Sequence, residues 1–244
     1  MRINLLSKSL FVIITAFLVL VSSFKAPDRP MEKPELIYVF DPLCGWCYGF
    51  SPVSLKLKER FGDTLTYSVY TGGLVLGDRV GTVKENFGFV FDTYKRIEEL
   101  SGTMFGEGFK TNILGKADTY VFNSAPPGKA FVIMKEMLPD SALEIAHAIQ
   151  HGIYDDGKDL NQPGMYLEIA DRFGLDTGMF SIRYNDTAYD SLLYNDFQMG
   201  QYYQAQGYPH VLLRKGEQYY LLTRGYQGYE NLERIIEGIL AEKE

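Results

Sequence analysis

Cysteine is almost absent from this chain. Among 244 residues there are two, Cys44 and Cys47, so no framework of structural disulfides holds the fold together. The pair is itself a poor staple, because bridging positions i and i+3 closes too short a loop to remove much unfolded-chain entropy. Runs of basic residues are missing too. The 24 Lys and Arg are outnumbered by 31 Asp and Glu, a formal net charge of -7, and this excludes the electrostatic footprint of a nucleic-acid binder. There is no internal repeat and no low-complexity segment. With 46% hydrophobic residues the chain has ample material for a core and is not disordered; its length suits one large domain or a core domain with an insertion.

What is present begins with a distinct N-terminal segment. Arg2 and Lys8 precede an apolar run over 10–21 that only Thr15 interrupts. This pattern reads as a secretory signal over 1–23, cleaved after Ser23, with an uncleaved anchor as the alternative. No cysteine lies near the end of the run, so lipid attachment there is excluded. A polar, Pro-rich linker follows over 24–35. The β-branched and aromatic residues of 36–40 predict a buried strand that Asp41-Pro42 ends. Residues 48–60 predict a helix stopped near Gly62, and 65–70 a second strand, which makes a parallel right-handed βαβ unit.

Residues 82–203 then form an inserted helical subdomain, with helices expected near 83–100, 128–137, 141–154, 164–173 and 189–204. Met179, Phe180 and Met199 in it are expected to be packing residues. Strand character returns at 211–214 and 218–222 as an antiparallel hairpin. An amphipathic helix over 229–242 closes the chain. Residues 36–81 and 204–244 are therefore the two halves of one α/β domain.

The cysteines carry the chemistry. On a helix, i and i+3 share a face one turn apart, so a disulfide can open and close with little backbone movement. Cys44 sits at the helix start, where free N–H groups and the helix dipole favour a thiolate. It is read as the nucleophile, with Cys47, deeper in the helix, resolving the mixed disulfide. This chemistry needs no cofactor and no metal. Zinc bound by the two cysteines with His147 and His151 is a rival, weakened by the long gap between the two halves. Trp46, Tyr48 and Phe50 crowd the helix start and are expected as exposed contacts. Gly207-Tyr208-Pro209-His210 precedes the hairpin; Pro209 there suits a strand entry.

The order of elements and the run YVFDPLCGWCYGF resemble the DsbA-like branch of the thioredoxin superfamily, and within it the FrnE-like proteins, over about 36–242. The resemblance implies a thioredoxin-like fold: a βαβ plus ββα mixed sheet with a large helical insertion. It implies a cis Tyr208-Pro209 bond facing the cysteines, with Tyr208 and Pro209 binding substrate chain, and Gly45 and Trp46 tuning the redox potential. Members of the superfamily often carry an acid six positions before the first cysteine. Tyr38 stands there, and Asp41 is the nearest carboxylate able to substitute in proton transfer, or else a turn former with Pro42.

The activity implied is thiol-disulfide exchange on exported, periplasmic proteins, as an oxidase. Reductase or isomerase action, or a non-redox isomerase of small molecules, is the alternative. The expected partners are cysteine-containing exported proteins and a membrane oxidase or reductase, with the protein itself a monomer.

Overall fold

A computed structural model describes residues 33–242; the expected leader over 1–23 and most of the linker lie outside them. β1 (Glu35–Phe40) is buried at every position from Leu36 onward. A strand covered on both faces has no reason to alternate polar and apolar residues, hence the unbroken Leu-Ile-Tyr-Val-Phe run. α1 (Gly45–Phe61) follows, then β2 (Thr66–Thr71), which pairs in parallel with β1 from Glu35 opposite Thr66 to Phe40 opposite Thr71. β5 (His210–Lys215) lies antiparallel on the other side of β1, and β6 (Gln218–Arg224) pairs antiparallel with β5. The sheet order is β2-β1-β5-β6. The closing helix, Tyr229–Ala241, packs on α1 and β6.

The segment between β2 and β5 departs from the sequence reading in three places. The helix expected over 83–100 is two, α2 (Val83–Phe87) and α3 (Val90–Ser101), broken at Gly88 and Phe89. Thr82 caps α2 by accepting from Glu85 N at 3.2 Å while its hydroxyl donates to the Glu85 carboxylate at 2.8 Å, a side-chain N-cap that starts a short helix. β3 (Gly81–Thr82) and β4 (Val121–Phe122) pair antiparallel, so the segment is not wholly helical. Strands of two residues are too short to display a period of two. α4 (Ala125–Met137), α5 (Ala142–Tyr154) and α6 (Gly164–Arg172) lie within a few residues of their expected bounds. α7 (Thr177–Asn185), capped by Asp176 through Met179 N, was not anticipated, and α8 (Ala188–Tyr202) precedes β5. Gly62 continues in right-handed helical geometry, so α1 ends by a turn in which Thr64 N and Leu65 N donate to Phe61 O.

β2 is an edge strand, and its outer groups are covered. Lys135 of α4 donates to Val69 O at 2.9 Å, and Asp196 of α8 accepts from Thr71 N at 3.1 Å. The two side chains close on each other at 2.7 Å. An ion pair therefore stands where a further strand would dock, and it fixes α4 and α8 to the sheet. Burial lowers the Lys135 pKa and raises that of Asp196 against their mutual attraction. Tyr48, Phe105 and Tyr154 pack edge-on or tilted with centroid separations of 5.1–5.2 Å, joining α1 to α5 and the loop after α3.

Candidate active site

The site is built where β1 turns into α1. Leu43 N donates to Asp41 Oδ1 at 2.9 Å and Cys44 N to Asp41 O at 3.0 Å, a turn closed by the aspartate's own side chain and carbonyl. Cys44 is the N-cap of α1, extended at φ -88°, and its carbonyl accepts from Cys47 N at 2.9 Å and Tyr48 N at 3.1 Å. The thiols are both free. Cys44 keeps 7% of its surface in solvent and Cys47 none, which makes Cys44 the accessible sulfur. Burial pushes the Cys47 thiol well above its ordinary range, as does the neighbouring Cys44; the Asp41 N–H and the Tyr38 hydroxyl pull it back.

Facing Cys44 is the loop before β5. The Tyr208-Pro209 bond is cis, as the resemblance implied. Cys44 Sγ donates to Tyr208 O at 3.5 Å, which brings residues 164 positions apart into contact. Tyr208 is held in turn by its own hydroxyl, which donates to Gly72 O at 2.7 Å. Only glycine fits at 72, because a Cβ there would lie 2.2 Å from the Tyr208 ring.

Asp41 is fully buried, and burial raises its carboxyl to about 6. Opposing that shift, Leu74 N donates to Oδ2 at 2.6 Å, while Leu43 N and the Ser124 hydroxyl, each at 2.9 Å, donate to Oδ1. The carboxylate thus joins the ends of β1 and β2 to the start of α4. What Asp41 offers Cys47 is its backbone N–H. The sequence reading missed Ser124, Leu74 and Gly72, and no local signal marks them.

Between the cysteines, Gly45 lies under α3, where a Cβ would stand 3.0 Å from Ile97 Cδ1. Trp46 is half-buried, its ring 6.4 Å from that of Tyr226. Tyr48 and Phe50 are not exposed contacts: they are 3% and 1% exposed, Phe50 against Tyr38 of the sheet and Tyr48, on another face of α1, against Phe105 and Tyr154. Phe180 packs as expected, whereas Met179 is 44% exposed. His147 of α5 pairs with Ser51 Oγ of α1 at 2.8 Å, and His151 with Asp155 at 3.1 Å, so each imidazole has a partner.

A cavity of about 240 Å³ opens beside Cys44. Leu43, Trp46, Leu74, Phe89, Val90 and Tyr94 are among its walls, with Tyr208 at its edge, and no charged side chain among the described residues lines it. Cavities of 350 and 400 Å³ lie elsewhere, beside His210 and beside Lys135, and neither reaches a cysteine. An accessible sulfur at a helix start, a second sulfur buried behind it and an apolar recess alongside can carry out disulfide exchange.

No family model and no curated protein matches the chain. Solved structures do. A protein from Nitrosomonas europaea, described as a candidate protein disulfide isomerase, matches with a TM-score of 0.73 and 22% identity, covering 86% of this chain and 98% of its own. DsbM from Pseudomonas aeruginosa, a cytosolic disulfide reductase, matches with a TM-score of 0.70 and 25% identity, over 84% of this chain and 98% of that one. Its structure with GSH matches with 0.68 and 28%, over 85% and 100%. A 2-hydroxychromene-2-carboxylate isomerase shares the fold at 13% identity and a TM-score of 0.56, over 84% of this chain and 94% of that one. The Cys44-x-x-Cys47 pair at the start of α1, opposite a cis proline, thus stands in a DsbA-like thioredoxin fold, the fold of these disulfide oxidoreductases.

Proposed function

We propose that this protein is an exported oxidase of cysteine-containing proteins, a member of the FrnE-like branch that passes its Cys44–Cys47 disulfide to substrates outside the cytoplasm. The observation that carries the exchange chemistry is the placement of Cys44 Sγ at the mouth of the apolar recess, 3.5 Å from Tyr208 O, with Cys47 fully buried behind it. A substrate thiolate attacks Cys44 Sγ, the Cys44–Cys47 bond breaks, and Cys47 leaves with the bonding pair. The second substrate thiolate then attacks its partner sulfur, releasing the oxidised substrate and the Cys44 thiolate.

The backbone at Tyr208 and Pro209 holds the substrate chain, and the recess receives an apolar side chain next to its cysteine. Gly45 lets α3 close on the site, and Trp46 shields the disulfide. For Asp41 the bonded carboxylate favours a framing role over proton transfer. Export rests on the N-terminal pattern. Among the described residues no helix is long and apolar enough to cross a membrane. A membrane oxidase would restore the disulfide, and the working form would be a monomer.

A second reading has a specific observation behind it: the likeness to a cytosolic disulfide reductase seen with GSH. Equilibration in glutathione buffers of graded ratio, followed by Trp46 fluorescence, separates the two. A potential near about -120 mV fits the oxidase, and one near about -270 mV makes the protein a reductase. The absence of any redox transition would remove both.

A further inference from the structure

Among the described residues two buried hydroxyls, those of Tyr38 and Thr71, have no hydrogen-bond partner, and Tyr38 is the one that lies beside the cysteines. It sits in the middle of β1, opposite Val69 of β2 and Val211 of β5, and is 1% exposed. Its ring packs on Phe40 and Phe50 at 5.6 and 5.5 Å. A phenylalanine would fill that slot, yet the chain carries a hydroxyl there that makes no hydrogen bond while both cysteines are thiols. Buried donors are nearly always satisfied, and one that is not calls for an explanation. Its ring meets Phe50, one helical turn after the fully buried Cys47, so the Cys47 sulfur is the neighbour that can accept from it.

We infer that the Tyr38 hydroxyl is a hydrogen-bond donor held in reserve for the Cys47 thiolate, idle while Cys47 is a thiol and engaged when that sulfur becomes anionic during exchange. This rests on the disulfide-exchange reading of the Cys44–Cys47 pair. In substrate oxidation the sulfur departs with the bonding pair and stands against two donors, the Tyr38 hydroxyl and the Asp41 N–H; it is protonated when the substrate's second thiol gives up its proton to attack. In the reverse direction Cys47 first loses its proton, then attacks Cys44 Sγ and expels the substrate thiolate. Tyr38 gives up no proton in either direction, since burial holds its own ionisation well above the ordinary phenol range. It is therefore a different device from a carboxylate base.

The other groups that face the two sulfurs do not compete for this role near neutrality. Tyr154 and Tyr208 are phenols that burial likewise keeps protonated. The Asp41 carboxylate, at about 6, is tied to Leu43, Leu74 and Ser124. Cys44 shares the exchange itself.

The test is single-turnover exchange between the reduced full-length protein and a peptide disulfide, with formation of the mixed disulfide and its resolution timed separately across pH. In Tyr38→Phe the first step changes by no more than about twofold, because Cys44 performs it. Resolution slows about tenfold at neutral pH, the loss expected for a hydrogen bond to a charged sulfur, and converges on wild type at alkaline pH, where Cys47 ionises unaided. The glutathione equilibrium at neutral pH, where reduced Cys47 is a thiol, moves by about twofold or less. Replacing Tyr38 with a ring-fluorinated tyrosine keeps the shape and strengthens the donor, so resolution quickens; this serves if the Phe variant does not fold. Unchanged resolution in a folded variant, or equal slowing of both steps, would overturn the inference and leave Tyr38 a packing residue. If wild type forms no mixed disulfide, it is the exchange reading that falls.

Discussion

Two buried polar groups, one within β1 and one just past its end, are treated in opposite ways. The Asp41 carboxylate receives Leu43 N, Leu74 N and the Ser124 hydroxyl, while Gln150 donates to its carbonyl at 3.2 Å. The Tyr38 hydroxyl, three residues earlier and as deeply buried, has no partner in the reduced protein. Full satisfaction belongs to a group that must stay still, because a bonded network in a low-dielectric interior rigidifies what it joins. An unsatisfied donor belongs beside a group whose charge changes. The carboxylate frames the site and the hydroxyl waits on the sulfur.

The sharpest way to separate framing from chemistry is to remove the sulfurs. Cys44→Ser abolishes exchange, whereas Cys47→Ser leaves a persistent mixed disulfide on Cys44, seen as a mass increase by non-reducing electrophoresis or mass spectrometry. Each change is near-isosteric but places a hydroxyl where a thiol was buried, so each lowers folding stability by about 1–3 kcal/mol at most. A mixed disulfide trapped on Cys47 by Cys44→Ser, with none trapped by Cys47→Ser, would reverse the two roles.

Next in size is the effect of pH on the framing cluster. Asp41 has a folded-state pKa near 6 against an ordinary 3.8, so its contribution to stability is complete below about pH 4 and is lost as pH rises through 6. The loss amounts to about 3 kcal/mol. Urea unfolding of wild type and Asp41→Asn over that range should show their stability difference moving by this amount in favour of the variant. A difference that stays flat would mean the carboxyl is ionised at its ordinary pKa.

Smaller again is Ser124→Ala. It deletes one donor to Asp41 and one acceptor for Val75 N, which binds the hydroxyl at 3.0 Å. About 1–2 kcal/mol of stability goes with it. The rate of mixed-disulfide formation at saturating peptide stays within about twofold of wild type if the cluster only frames the site. A large kinetic loss with little destabilisation would erase the contrast drawn above.

Much of this was legible from local pattern. The strand over 36–40, the helix that follows, the closing hairpin and the last helix all have runs long enough to show their period, and Cys44 and Cys47 announce themselves by spacing alone. The cis bond at Tyr208-Pro209 came from resemblance, since a proline before a strand reads equally well as an ordinary entry. Other features were hidden because they exist only across the fold. Ser124 meets Asp41 from 83 residues away, and the hydroxyl of Tyr38 has meaning only once α1 lays Cys47 over β1. Tyr48 and Phe50 were misjudged for the same reason: crowding at a helix start says nothing about which face is covered, and Phe105, Tyr154 and Tyr38 cover it.

The ring of Tyr208 lies where a side chain at 72 would be, and its hydroxyl bonds that residue's carbonyl. Positions 72 and 208 are therefore not free to vary independently. Any side chain at 72 evicts the phenol and, with it, the carbonyl opposite Cys44, whereas a small residue at 208 opens the space that would tolerate one. Single changes at either position should be costly and their combination less so than the sum, the non-additive signature of two sites sharing one volume. This edge of the site can therefore change shape only along paths that alter both residues together.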